Sequence, residues 1–77
     1  MKRKGIGDAM SAIHVAWDYF RNADFRGALL MYETAAELAP ASTAPLFGVL
    51  DCHVAMGDAE NAARTVERIV ALGGVAR

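Results

Sequence analysis

Laid against itself at an offset of 34 residues, the chain pairs Ala23 with Gly57, Asp24 with Asp58 and Ala28 with Ala62. The same offset pairs Leu29 with Ala63, Tyr32 with Val66, Ala35 with Ile69 and Leu38 with Leu72. Small residues recur where two helices must approach closely, and larger ones recur where the space between them must be filled. A repeated unit this short cannot bury its apolar face alone. The chain is therefore expected to fold by stacking two such units.

Helix punctuation agrees with this division. Asp8 or Ser11 can cap a first helix running to about Asn22, and Asp24 can cap a second that reaches Leu38 before Pro40. Thr43 can cap a third, with Pro45 tolerated in a first turn whose amides have no helical acceptors. Gly57 stops that helix, and Asp58 caps a fourth that fades at Gly73 and Gly74. The connections are only a few residues long, so consecutive helices must be antiparallel. β-Branched residues are sparse and nowhere alternate, so no strand is expected. The reading is all-α: a basic tail over 1–7, then one domain over 8–77 made of two repeats, about 9–42 and 43–76.

A helix–turn–helix period of 34 resembles the tetratricopeptide repeat. In the first repeat Val15, Ala16, Tyr19, Ala28, Tyr32, Ala35 and Pro40 fall at that family's medium apolar, small, aromatic, Ala, aromatic, Ala and Pro positions. Ala12 stands at its usual Trp position. In the second, Leu46, Val49, Gly57, Ala62 and Val66 fit, while Leu50 replaces a small residue, His53 an aromatic, Ile69 an Ala and Gly74 a Pro. The resemblance covers residues 9 to 74 and implies antiparallel helical hairpins with a concave, partner-binding face.

The first helix is apolar on two sides. At about 100° per residue, Ala12, Val15, Ala16 and Tyr19 form the face that packs within the repeat, while Met10, Ile13, Trp17 and Phe20 form a second face about 80° wide. A polar stripe of Ser11, His14, Asp18 and Arg21 lies between them. A helix with two apolar faces must bury both. By the family resemblance the second face is concave, and its counterparts in the second repeat are Ala44, Phe47, Asp51, Val54 and Ala55. The expected groove has Met10, Ile13, Trp17, Phe20, Phe47 and Val54 as apolar contacts, with Arg21 and Asp51 as polar limits. Its occupant is an amphipathic helix or apolar segment of another protein, a second copy of the chain, or the chain's own segment around Ile6. Ala63, Val66 and Val70 offer a further apolar face on the fourth helix, where another repeat or a second copy would stack.

Composition supports an interaction protein. Apolar residues are 55% of the 77, above the roughly 45–50% of ordinary chains, which is more greasy surface than one small fold hides. The net charge of −1 conceals Lys2, Arg3 and Lys4 in the tail; the remainder carries five basic and nine acidic residues. With its arginines scattered among carboxylates the chain lacks the basic face of a nucleic-acid binder. No uncharged apolar run reaches membrane-spanning length, and the basic start has no signal-peptide core. The cytoplasm is the expected compartment, and the single Cys52 fits reducing conditions.

Chemistry is sparse. In Asp51-Cys52-His53, neighbouring helical side chains diverge by about 100° and cannot jointly hold one ion, so Cys52 and His53 read as packing residues. Asp18, one turn after His14, can pair with it on the surface, and Glu33 and Glu37 read as a solvated face. No phosphate loop, catalytic constellation, metal or cofactor site is expected. Where related repeat domains resemble one another in a basic clamp for a chaperone's C-terminal carboxylate, this chain has Ile13, Trp17, Ala44 and Gly48, which favours an apolar ligand. In architecture and surface chemistry it resembles the small chaperones of bacterial type III secretion, which implies masking of a partner's self-associating segment. The alternative is a self-associating scaffold that closes its groove on its own copy.

Overall fold

A computed structural model describes residues 8–73, and they form four α-helices: α1 (Ala9–Arg21), α2 (Phe25–Leu38), α3 (Ala44–Ala55) and α4 (Ala59–Ala71). The expected basic tail over 1–7, with Ile6, and residues 74–77, with Gly74, lie outside the described residues. The architecture is all-α. Each helix packs on the next, α1 also meets α3, and neither α1 nor α2 packs along α4. The Cα envelope of 39 × 27 × 15 Å is thin enough for two helical layers at the usual 8–10 Å spacing. One layer holds α1 and α3, the other α2 and α4.

The caps explain where the helices begin. The Asp8 carboxylate accepts the Ser11 amide at 2.8 Å, so Asp8 is the cap and Ser11 lies inside the first turn. Asp24 accepts the Gly27 amide at 2.9 Å, and Asp58 accepts both the amide and the side-chain nitrogen of Asn61. Those Asn61 bonds hold the Asp58 carboxyl below its ordinary range, with the nearby His53 and Arg64 adding to the effect. Thr43 occupies the cap position of α3 without a side-chain cap bond. Its backbone is already helical there, and the Ser42 hydroxyl accepts the Ala44 amide instead, at 3.3 Å.

The 34-residue offset recurs in three dimensions. Ala23 and Gly57 both have left-handed backbone, φ +63° and +73°. The Ala23 amide donates to Phe20 O and the Gly57 amide to Val54 O, while Asp24 donates to Tyr19 O and Asp58 to His53 O. Glycine adopts this conformation freely, whereas Ala23 bears a Cβ that crowds its carbonyl by roughly 1–2 kcal/mol. Ala23→Gly is therefore expected to raise the melting temperature by about 4–8 °C, for about 1 kcal/mol in a chain of this size. Gly57→Ala should lower it by a similar amount; circular dichroism melts of the two variants check both.

Alanines let the backbones approach. Ala12, Ala16, Ala28 and Ala35 are completely buried, and Ala16, Ala28, Tyr32, Val49 and Cys52 form the core between α1, α2 and α3. Tyr32 crosses from α2 over Gly48 of α3, where an added Cβ would fall within its ring. Burial raises the Tyr32 phenol pKa, with Cys52 and Asp51 adding to the shift. Tyr19, expected inside, is 40% exposed; it sits at the end of α1 with its ring edge over Gly27, at the rim of the helix pair.

Candidate functional site

The expected groove residues divide into two environments. Ile13 and Phe20 are half-buried and packed against the core cluster, whereas Met10, Trp17, Phe47 and Val54 are exposed, Trp17 by 52%. Arg21 and Asp51 are exposed as well. Trp17 stacks on Phe20 with ring centroids 6.2 Å apart and planes 11° from parallel, and Phe20 meets Phe25 edge-on at 5.1 Å. An aromatic row thus leads from the α1 surface into the first hairpin, with Trp17 as its outer member. Phe25 was not among the sequence candidates; its position directly across a three-residue turn from Phe20 is the signal that marks it.

The polar rim also differs in detail. Asp18 accepts from Arg21 at 3.1 Å rather than from His14, because the longer side chain reaches back along one turn. Glu33 is held by both terminal nitrogens of Arg68, each at 3.3 Å, in a link from α2 to α4. It is not merely solvated. Ala63, Val66 and Val70 are exposed on α4. Two hollows adjoin α4. One, of about 430 Å³, lies between the C-terminal halves of α2 and α4, with Ala36, Leu46, Ala71 and Leu72 in its wall and Glu37 and Arg68 at its rim. The other, of about 290 Å³, is lined by Val54, Gly57, Asp58, Ala59 and Ala62.

The polar residues of α3 are placed for packing. Cys52 is fully buried, and desolvation, with some help from Asp51, pushes its thiol up to about 11. His53 is buried with its Nδ1 unbonded, 3.9 Å from the Asp58 carboxylate, which is too far for a direct hydrogen bond. Among the described residues no group of three His, Cys, Asp or Glu side chains could hold a metal ion. The raised thiol pKa leaves far less thiolate at pH 8 than an ordinary cysteine has. Cys52 is expected to resist Ellman's reagent in the folded chain and to react at once in guanidinium. Rapid labelling under native conditions would mean that α3 opens freely.

No helix among the described residues is long and apolar enough to cross a membrane. No family model, curated protein or solved structure matches the chain.

Proposed function

We propose that the chain is a protein-binding module of two tetratricopeptide-like repeats that holds an amphipathic or apolar segment of a partner protein. The observation that carries the reading is Trp17, a large aromatic left half bare beside the still more exposed Met10, although its neighbour Phe20 is packed inward. Aromatic side chains with one face supported and the other free are the usual anchors of recognition. The supporting stack on Phe20 holds the indole in place, which lowers the entropy lost when a partner covers it.

The partner's chemistry follows from the rim. Apolar Met10 and Trp17 share one strip of α1 with Arg21, and at about 100° per residue the three lie within one narrow face. A ligand helix would lay its apolar side on Met10 and Trp17 and place an acidic or amide group near Arg21. The specific form of this proposal is a small chaperone that masks an apolar segment of its client, as do the type III secretion chaperones that the chain resembles in architecture and surface chemistry.

The test is site-directed photocrosslinking in the native cell. A crosslinking residue at position 10 or 17 is expected to capture a single protein through one defined segment, identified by mass spectrometry. A crosslinker at Leu30, exposed on α2, should capture none. Crosslinks from 10 and 17 only to a second copy of the chain would replace the binding-module reading with the scaffold reading.

A further inference from the structure

We propose that the end of the stack formed by α3 and α4 receives a helical hairpin from another protein chain, seated there as α3–α4 is seated on α1–α2. This concerns a different surface from the Trp17 strip. The starting observation is a broken symmetry. Ile13 and Phe20 are packed against the core, yet their counterparts 34 residues later, Phe47 and Val54, are 45% and 64% exposed. Tyr32 is buried against Gly48, yet its counterpart Val66 is 42% exposed. In each case the covered residue is packed against a core to which α3 contributes, and among the described residues no helix covers the later one.

The bare residues form one end surface. On α4, Thr65 and Ile69 face the core and Arg68 reaches back to α2. At about 100° per residue, Ala59, Ala63, Val66 and Val70 lie on the side of α4 opposite Arg68. They therefore point away from α2, where a further hairpin would stack. Beside them is the hollow lined by Val54, Gly57, Asp58, Ala59 and Ala62. The same five positions in the first repeat are Phe20, Ala23, Asp24, Phe25 and Ala28, and there the Phe20 and Phe25 rings meet at 5.1 Å. Replacing two phenylalanines by Val54 and Ala59 leaves room for a bulky apolar side chain from the incoming hairpin.

Charge specifies the second helix of that hairpin. Glu33 borders the stacking side of α2 and is met by Arg68 of the following hairpin. Glu67 occupies the same position on α4, and among the described residues no ion pair or hydrogen bond engages it. An arginine on the incoming hairpin at the place of Arg68 would complete the link.

A second copy of the chain fits badly. α3 turns Pro45, Gly48 and Cys52 toward α2; the corresponding residues of α1 are Ser11, His14 and Asp18. An imidazole and a carboxylate would press on Val66 and Ala63 where a glycine and a buried thiol are suited. Thr34 of α2 would stand where Arg68 is needed. The occupant is thus a foreign hairpin with a small, apolar leading face, a bulky apolar side chain for the hollow and an arginine for Glu67.

The chain's own second hairpin, as a synthetic peptide of residues 43–73, has the leading face and the arginine and serves as the probe. Calorimetric titration of the full chain under reducing conditions is expected to show one-to-one binding. Val54→Asp and Val66→Asp in the chain, both at exposed positions and checked for folding by circular dichroism, should weaken it at least tenfold. Glu67→Arg should weaken it a few-fold, with recovery when the peptide carries Arg68→Glu. Trp17→Ala should leave peptide binding unchanged, which separates this surface from the Trp17 strip. Absence of binding, or binding indifferent to both aspartates, would overturn the proposal. So would sensitivity to Glu33→Arg without sensitivity to Glu67→Arg, since the peptide would then be displacing the native hairpin. A homodimer that Val66→Asp dissociates would also overturn it, by giving the surface to a second copy.

Discussion

Gly48→Ala is expected to lower the melting temperature by about 10–20 °C, the reverse of what an alanine usually does inside a helix. On propensity alone the change favours folding by up to about 1 kcal/mol. In this chain the new methyl would fall within the Tyr32 ring, and that ring is buried against the centre of the core. Tyr32 has no solvent to swing into, so either it leaves its position or α2 and α3 separate. Overpacking of this kind costs about 1–3 kcal/mol or more, against a total stability of roughly 4–12 kcal/mol for a chain of this length. Gly48→Leu is expected to leave no cooperative transition. A contrast is available at Gly27, where an added Cβ meets the exposed Asp24 carboxylate and the edge of the partly exposed Tyr19. Those groups can yield, and Gly27→Ala should shift the melt far less. Tyr32→Leu should be less harmful in the Gly48→Ala background than in the native one, because it removes the clash. A Gly48→Ala chain that melts at or above the native temperature would show that Tyr32 does not cross α3 at this point.

That prediction marks how far the sequence could be read. The helix boundaries followed from Asp8, Asp24 and Asp58, because a side-chain cap is a local event within three residues. The hairpin order followed from short connections; the left-handed turn at Ala23 was not read, although its pairing with Gly57 at the 34-residue offset carried the signal. The seat of Tyr32 over Gly48 was not legible, since it depends on which neighbouring helix lies opposite. The same reason explains the divided groove. Ile13 and Phe47 hold the same position on equivalent helices, and helical periodicity cannot tell that one is packed against the core and the other is left uncovered. The Glu33–Arg68 link could have been found: when equivalent helices lie in one layer, residues about one period apart come abreast, and these two are 35 apart, within reach of a long side chain. The 430 Å³ hollow between α2 and α4 could not, because it lies between two helices that do not pack along each other.

Trp17→Ala is expected to do the opposite of Gly48→Ala, removing binding while leaving the fold. The indole is half exposed and contributes to the folded chain chiefly through its stack on Phe20. Such aromatic pairs are worth about 0.5–1.5 kcal/mol, so the melt should fall by no more than about 4–10 °C. An aromatic anchor at the centre of an interface commonly carries 2 kcal/mol or more, which corresponds to about a thirtyfold loss of affinity. The partner segment captured from positions 10 and 17, made as a peptide, supplies the ligand for this measurement. Its affinity for the Trp17→Ala chain should fall about thirtyfold or more, while Leu30→Ala, at a still more exposed residue on α2, changes nothing. Trp17→Phe separates the anchor from its support, because it keeps an aromatic stack on Phe20 while giving up contact area and the indole N–H; an intermediate affinity is expected. If Trp17→Ala binds the segment as tightly as the native chain does, the bare indole is not an anchor. If affinity and cooperative melting disappear together, the residue belongs to the core after all. Only loss of affinity with a preserved melt fits a side chain that the fold holds outward for a partner.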